Sequence, residues 1–521
     1  MRFAELARLS RRVADERGRN AKIAAIAGFL AGLEGEDAAI GVRYCAGELR
    51  QGKIGVGHAA LRTMRDEAGP AAAEATLSLV EVDRALGELA ALAGAGSARA
   101  RKEGLGALFA RCTEEERAFL LALLAGELRQ GALASLVLDA VARARSLEPA
   151  ALRRAAMLAG SEVEAACVAL VEGASGLARF ALTPLRPVLP MLASPADDAA
   201  AAVEEPGEAL LEIKLDGARV QAHKDGDEVR VFSRAMNDVT SSVPEVVEAV
   251  RALPLRRAIL DGEAIVLGED GRPEPFQTTM RRFGRTRDVE AMRASLPLSA
   301  FFFDLLLRDD EVLLDAPLSE RRAALAAVLD PASVVASCLA RDADEAERFY
   351  AEIVAMGHEG VMAKSLVAPY EAGQRGRAWL KIKPAHTLDL VVLAVEKGSG
   401  RRRGWLSNLH LGARDPSSPT GFARVGKTFK GMTDAMLAWQ TARFRTLAVD
   451  PDTPDDPETW VVSVRPEQVV EIALNDVQTS SEYESGVALR FARVVRYRED
   501  KRAEDASTIE EVRSLVRRAS R

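Results

Sequence analysis

The chain has 521 residues, of which 48% are hydrophobic, 28% charged and only 5% aromatic, and its formal net charge is −7. That length exceeds one ordinary core and predicts about three domains. No stretch nears the ~20 apolar residues of a membrane-spanning helix, and the N-terminus, MRFAELARLSRRVADERGR, has no secretory apolar core. The expectation is a cytoplasmic protein without a membrane partner. Cys45, Cys112, Cys167 and Cys338 stand singly with no CxxC pair, which argues against a disulfide framework or a structural zinc. The five histidines show no metal-ligand spacing.

Residues 1 to about 178 read as helical: Ala, Leu, Arg and Glu are abundant, proline is sparse, and apolar residues recur at i, i+3, i+4. The heptapeptide AGELRQG occurs twice, at 46–52 and 125–131. This predicts an internal duplication in which Gly52 and Gly131 each take the left-handed position that ends a helix. A new helix N-terminus following such an end offers free N–H groups to a phosphate. Gly52, Gly131, Arg50 and Arg129 are the candidate nucleic-acid contacts; two similar helical hairpins packed together is the competing reading. The proline-rich stretch TPLRPVLPMLASPADD (183–198) then reads as a linker.

From about 207 the period changes to that of strands. LLEIKL, VRVFSR, AILDGEAIVL and AFFFDLLL are short β-rich runs, with turns at Asp225-Gly226 and Asp270-Gly271. Helical segments such as PEVVEAVRAL, LSERRAALAAVL and DEAERFYAEIVAMG alternate with them, giving an α+β domain to about 388. Beyond Leu388 short strands dominate for ~110 residues, which predicts a small β-barrel, best an OB-fold, followed by a charged helical tail. Glu396 to Arg445 holds ten Lys/Arg against three acidic residues, a local basic surface in an acidic chain.

The chemistry centres on EIKLDGARV (212–220). A lysine leaves a strand and meets an Asp-Gly turn, which presents Lys214 at the mouth of a pocket. A nucleophilic lysine must be neutral, whereas an ordinary one is uncharged on the order of once in a thousand at pH 7. Burial and neighbouring positive charge shift that balance. Lys381 and Lys383 in WLKIKP share one strand face and are the candidate cations.

The words then repeat an ordered set. KLDGAR (214–219), FSRAMND (232–238), DGEAIV (261–266), FFFDLL (301–306), EGVMAK (359–364), WLKIK (379–383) and RYREDK (496–501) follow one another over about 290 residues. The set resembles the nucleotidyltransferase superfamily of DNA ligases, RNA ligases and mRNA capping enzymes. The helical N-terminal region with its GELRQG-like words narrows the resemblance to ATP-dependent DNA ligases of the archaeal, eukaryotic-nuclear and mycobacterial type. An RNA-end ligase or capping enzyme, and a non-enzymatic DNA-binding relic, are the alternatives.

The resemblance implies a multidomain chain: an all-α DNA-binding domain (1–180), a linker (181–206), an α+β adenylation domain (207–388) and an OB-fold β-barrel domain with a charged tail (389–521). It implies that Lys214 becomes adenylated from ATP, the AMP passing to the 5′-phosphate of a nick before the 3′-hydroxyl displaces it. Glu212 would accept from adenine N6, and Arg219, Arg234 and Arg375 (or Arg377) would contact ribose and phosphate. Phe303 (or Phe301 or Phe302) would stack on adenine. Lys381 and Lys383 would neutralise the α-phosphate. Glu263 would bind ribose or metal, and Glu359 the metal, Mg2+ or Mn2+. Arg498 and Lys501 would orient the pyrophosphate. The implied partner is nicked double-stranded DNA, and the implied state a monomer.

Overall fold

A computed structural model describes residues 1–16, 18–66, 69–128, 130, 134–196, 198–204, 208–371, 375–384 and 386–516. Ten helices lie among the described residues between Phe3 and Leu177. Their apolar faces meet in one core that includes Phe3, Leu30, Tyr44 and Leu120, each fully buried. Two helix starts carry reciprocal caps: Ser78 with Glu81, and Thr113 with Glu116, satisfy N–H groups that no preceding turn could reach.

The repeated heptapeptide ends its helices earlier than expected. Helix Gly35–Ala46 stops at Gly47, with φ at +79°, and Gly126 takes φ +68° after helix Glu114–Leu124. The left-handed helix end is therefore the first glycine of each word. Gly52 has positive φ too, but in a separate turn closed by its N–H on the Leu49 carbonyl at 3.2 Å. Gly131 and Arg129 lie outside the described residues. The second word reaches the residue just before the first: the Gln130 side-chain amide donates to the Cys45 carbonyl at 2.6 Å.

The middle of the chain forms two five-stranded sheets. In the first, β1 (Leu192–Pro195), β2 (Ala209–Ile213), β8 (Ser337–Ala340), β9 (Val361–Lys364) and β10 (Arg375–Ile382) run in the order β1-β10-β9-β2-β8. The second contains β3 (Ala218–Asp225), β4 (Glu228–Ser233), β5 (Arg257–Val266), β6 (Leu298–Arg308) and β7 (Glu311–Val312), ordered β4-β3-β5-β6-β7. Part of the expected linker is thus an edge strand, β1, paired in parallel with β10. An edge tolerates its Pro195, because no neighbour needs the missing N–H. The chain crosses from the first sheet to the second at Lys214–Gly217. There a Cβ on Gly217 would collide with the Ala264 carbonyl and the Ile265 side chain, so glycine is required where the turn passes over β5.

The last third is β-rich. β11 (His386–Lys397), β12 (Leu406–Arg414), β13 (Phe422–Thr428), β14 (Val461–Ser463), β15 (Val469–Leu474), β16 (Asp476–Thr479), β17 (Val487–Arg490) and β18 (Arg493–Arg498) make a six-stranded antiparallel sheet and a separate β16–β17 hairpin. β11 pairs with β12 along one edge and with β15 and then β14 along the other. No ladder joins β13 to β18 among the described residues; the Thr428 hydroxyl on the Ala492 carbonyl at 2.6 Å and the Val494 N–H on the Lys430 carbonyl at 2.9 Å connect the two segments. No helix of the described residues is long and apolar enough to cross a membrane.

Candidate active site

Lys214 follows β2 directly, and its N–H extends the ladder to the Gly360 carbonyl at 2.9 Å. Gly360 itself, at φ +137°, lies so close to β10 that a Cβ would meet the Ile382 carbonyl. The tight crossing brings Lys214, Glu359 and Lys383 together. Glu359 is ion-paired with both ammonium groups. Burial pushes the Glu359 carboxyl up, but the Lys214 and Lys383 charges outweigh it and hold it below its ordinary value. Burial, reinforced by the Lys214 charge, lowers Lys383.

These lysines open into a cavity of about 620 Å3 between the two sheets, which Lys381 and Glu263 also line. Glu263 faces Arg219 across the β3–β5 ladder. Burial raises its carboxyl to about 7 against the opposing charges of Lys214 and Arg219. Phe303 lies on the wall, edge-on to Trp379 at 5.8 Å between centroids. Strand alternation separates Phe302 from Phe303: Phe302 points the other way into the β-sheet core and is 1% exposed. Phe301 sits opposite Glu263 in the ladder but does not line the cavity.

Glu212 is buried in the same wall and paired with Lys364 at 2.5 Å and Arg322 at 3.5 Å. Arg219 is engaged from within the protein. It makes a two-pronged pair with Asp261 at 3.0 and 2.6 Å and donates to the Met191 carbonyl at 2.6 Å. Its partner Asp261 also accepts from the Tyr370 hydroxyl at 2.6 Å. Arg219 is therefore a pinned wall of the cavity and not an open arm reaching into it. Arg234, by contrast, is exposed at the rim.

Arg377, Arg498, Lys501 and Arg50 do not line this cavity. Arg375 pairs through its backbone with Leu192, its side chain being outside the described residues, and Arg377 lines a separate hollow of about 270 Å3. Arg498 is bound to Asp389 at 3.2 Å and Asp500 at 2.7 Å, and Lys501 to Asp389 at 2.7 Å, all within the C-terminal region. The C-terminal residue that does line the cavity is Phe491. Arg50 pairs with buried Asp83 at 3.0 Å and with Glu36 at 3.3 Å. In the basic 396–445 stretch, Glu396 takes Lys427 and His410, and Arg445 takes Asp455.

Lys364, Trp379, Met362 and Asp261 belong to the site without having been singled out in the sequence. All four sit inside the motif words, so the signal was present as position and not as residue type.

Family models for the ATP-dependent DNA ligase match three stretches: the N terminus at 61–142, the ligase domain at 190–383 and the C-terminal region at 402–501. A protein named probable DNA ligase from Anaeromyxobacter dehalogenans (strain 2CP-C) is 56% identical over 516 residues, 99% of each chain. The chain belongs to the ATP-dependent DNA ligase family. A probable DNA ligase of Mycolicibacterium gilvum (strain PYR-GCK) is 54% identical over the full length of both chains. The solved structure titled Pmar-Lig_Pre. superposes with a TM-score of 0.60 at 18% identity, covering 95% of this ligase and 99% of that chain, which is a likeness of fold. Enzymes of this family use ATP to form phosphodiester bonds in DNA, and the residues that line the cavity around Lys214, Phe491 apart, lie within the matched ligase domain.

Proposed function

We propose that this ligase seals 5′-phosphate/3′-hydroxyl nicks in duplex DNA, with Lys214 as the carrier of AMP. The observation that carries the reading is the ion-paired cluster of Lys214, Glu359 and Lys383, whose two lysines line one cavity together with Phe303 and Glu212. Cations suited to phosphate and an aromatic ring suited to a base thus share one cavity. Adenine would stack on Phe303 and donate its N6 amino group to Glu212.

In the first step Lys214 Nζ, having lost its proton, forms a bond to the α-phosphorus of ATP, and pyrophosphate leaves. A 5′-phosphate oxygen of the nick then attacks that phosphorus, and the P–N bond breaks. Finally the 3′-oxygen attacks the 5′-phosphorus and AMP departs. Lys381 and Lys383 offset the charge that builds on the phosphoryl oxygens, and Arg234 at the rim is free to reach ribose or phosphate. Among the described residues no three His, Cys, Asp or Glu converge on one point. Glu263 and Glu359 fit a magnesium ion that takes its other ligands from phosphate and water, as Mg2+ usually does. Bound there, the ion would polarise phosphoryl oxygens.

We read 1–180 as the DNA-binding domain, 207–388 as the adenylation domain with 181–206 joining them, and 389–521 as an OB-fold. β11, which pairs with three strands and shifts register against β12, and the Val494–Lys430 bond support the last assignment. Arg498 and Lys501 would reach the pyrophosphate only after this region turns to bring them to the cavity in place of Phe491, a common gating motion. The expected state is a cytoplasmic monomer, which light scattering checks.

The test is transfer of labelled AMP from ATP to the protein, then sealing of a 5′-phosphorylated nick, with NAD as the negative control. Lys214→Ala should abolish labelling. Persistent labelling of that variant would sink the assignment.

A further inference from the structure

Glu212 can read adenine only if it presents a carboxylate. A carboxylate accepts from the N6 amino group and repels the O6 oxygen of guanine; a protonated carboxyl could donate to O6 instead. The side chain is 1% exposed, and burial pushes its carboxyl up. Four charged groups surround it or stand nearby. Lys364 on β9 lies at 2.5 Å and Arg322 from the helix Leu318–Val328 at 3.5 Å. Asp304 on β6 opposes them, its own charge taken up by Arg321 at 2.7 Å.

The two cations are not equivalent. Arg322 is shared, donating also to the Val335 carbonyl at 2.5 Å and the Ser337 hydroxyl at 3.1 Å. Lys364 is 1% exposed, and its ammonium sits 4.3 Å from the Phe303 ring centroid and 4.2 Å from that of Trp379. The ladders fix this arrangement, since Lys364 is the partner of Leu210 on β2 and of Trp379 on β10. An ammonium held between two aromatic rings has little freedom to turn away from the carboxylate.

We propose that Lys364 is a positioning residue for purine choice: clamped by Phe303 and Trp379, it keeps Glu212 ionised and aimed, and so makes the cavity prefer adenine to guanine. The inference rests on the reading of Glu212 as the adenine acceptor. Lys364 needs no contact with the nucleotide to act in this way. Its removal should leave a carboxyl that gains a proton and with it tolerance of O6, so that ATP use falls while GTP use falls less or rises.

The experiment is self-labelling of the full chain with ATP, GTP and purine riboside triphosphate, which lacks the N6 group, in wild type, Lys364→Met, Lys364→Gln, Lys364→Arg and Glu212→Gln. Both neutral variants should lower the ATP-to-GTP preference by about tenfold or more, as expected when a buried polar partner is mismatched. Lys364→Arg, which keeps the charge, should hold the preference near wild type. A folded neutral variant that loses labelling equally with all three nucleotides overturns the proposal, and so does failure of both neutral variants to fold. The ATP-to-GTP preference of Glu212→Gln separates the two readings. If it is unchanged, Glu212 is not the adenine acceptor and the underlying assignment falls; if it shifts while the Lys364 variants keep theirs, only the role of Lys364 falls.

Discussion

Arg490, at the end of β17, approaches the carboxylate of Asp216 to 3.6 Å, so that the C-terminal region is held directly to the turn that follows Lys214. The guanidinium also lies 5.1 Å from the Phe276 ring, and Gln277 donates to Gln478 at 2.9 Å beside it. Each member of the pair is about one-fifth exposed. A pair so placed contributes on the order of 1 kcal/mol to the contact. Arg490→Ala should therefore loosen the seating of the C-terminal region, seen as a larger radius of gyration in solution scattering. Raising salt should move wild type the same way. A variant with the wild-type scattering profile would show that the pair does not hold the two regions.

Glu263 gives the site a pH dependence. Its carboxyl, raised to about 7 by burial, is protonated and a poor metal ligand below that value. Magnesium affinity, measured as the Mg2+ concentration for half-maximal self-labelling, should weaken as pH falls from 8 to 6. Glu263→Gln should bind the ion poorly throughout and lose that pH limb. A limb that persists in the variant would assign it to another group.

Phe303 and Phe302 are adjacent and should fail differently. Phe303 lines the cavity, so Phe303→Ala should raise the KM for ATP by about tenfold, the value of one stacking contact. It should harm sealing of a pre-adenylated nick much less. Phe302 belongs to the core, so Phe302→Ala should cost about 3–5 kcal/mol of stability. Equal losses of ATP use and of pre-adenylated sealing in Phe303→Ala would argue against stacking.

Sequence words located the cavity because Lys214, Glu359, Lys381 and Lys383 carry their chemistry in residue type and order. What they could not carry is partnership across sheets. Arg219 and Arg234 look alike as letters, yet β5 sets Asp261 beside one and leaves the other at the rim. Arg498 and Lys501 likewise find Asp389, more than a hundred residues earlier. The helix end at Gly47 was blurred for a local reason: AGELRQG holds two glycines, and in its first copy both adopt positive φ. Alternation along a strand, by contrast, is a sequence property, and it separates Phe302 from Phe303 as found.

His223 links the segment around Leu185 to the second sheet, and it should make the fold sensitive to acid. Its Nδ1 accepts from the Leu185 N–H at 3.1 Å, and its Nε2 lies 2.9 Å from Gln221 Oε1, whose carboxamide bonds Val188 through both its oxygen and its nitrogen. Burial lowers the imidazole to about 3, so the folded protein holds it neutral where an unfolded chain would bind a proton. With the folded value below the unfolded 6.5, stability is intact above pH 6.5 and declines as pH falls from there toward 3. The decline attributable to this one ring amounts to several kcal/mol on the order of 1.4 kcal/mol per unit. Urea midpoints measured from pH 7.5 to 4.5 should fall with acid in wild type. His223→Leu should start lower, because the Leu185 N–H loses its acceptor, but follow a flatter slope. Parallel slopes for the two proteins would mean that carboxylates elsewhere, and not this buried imidazole, set the acid limit.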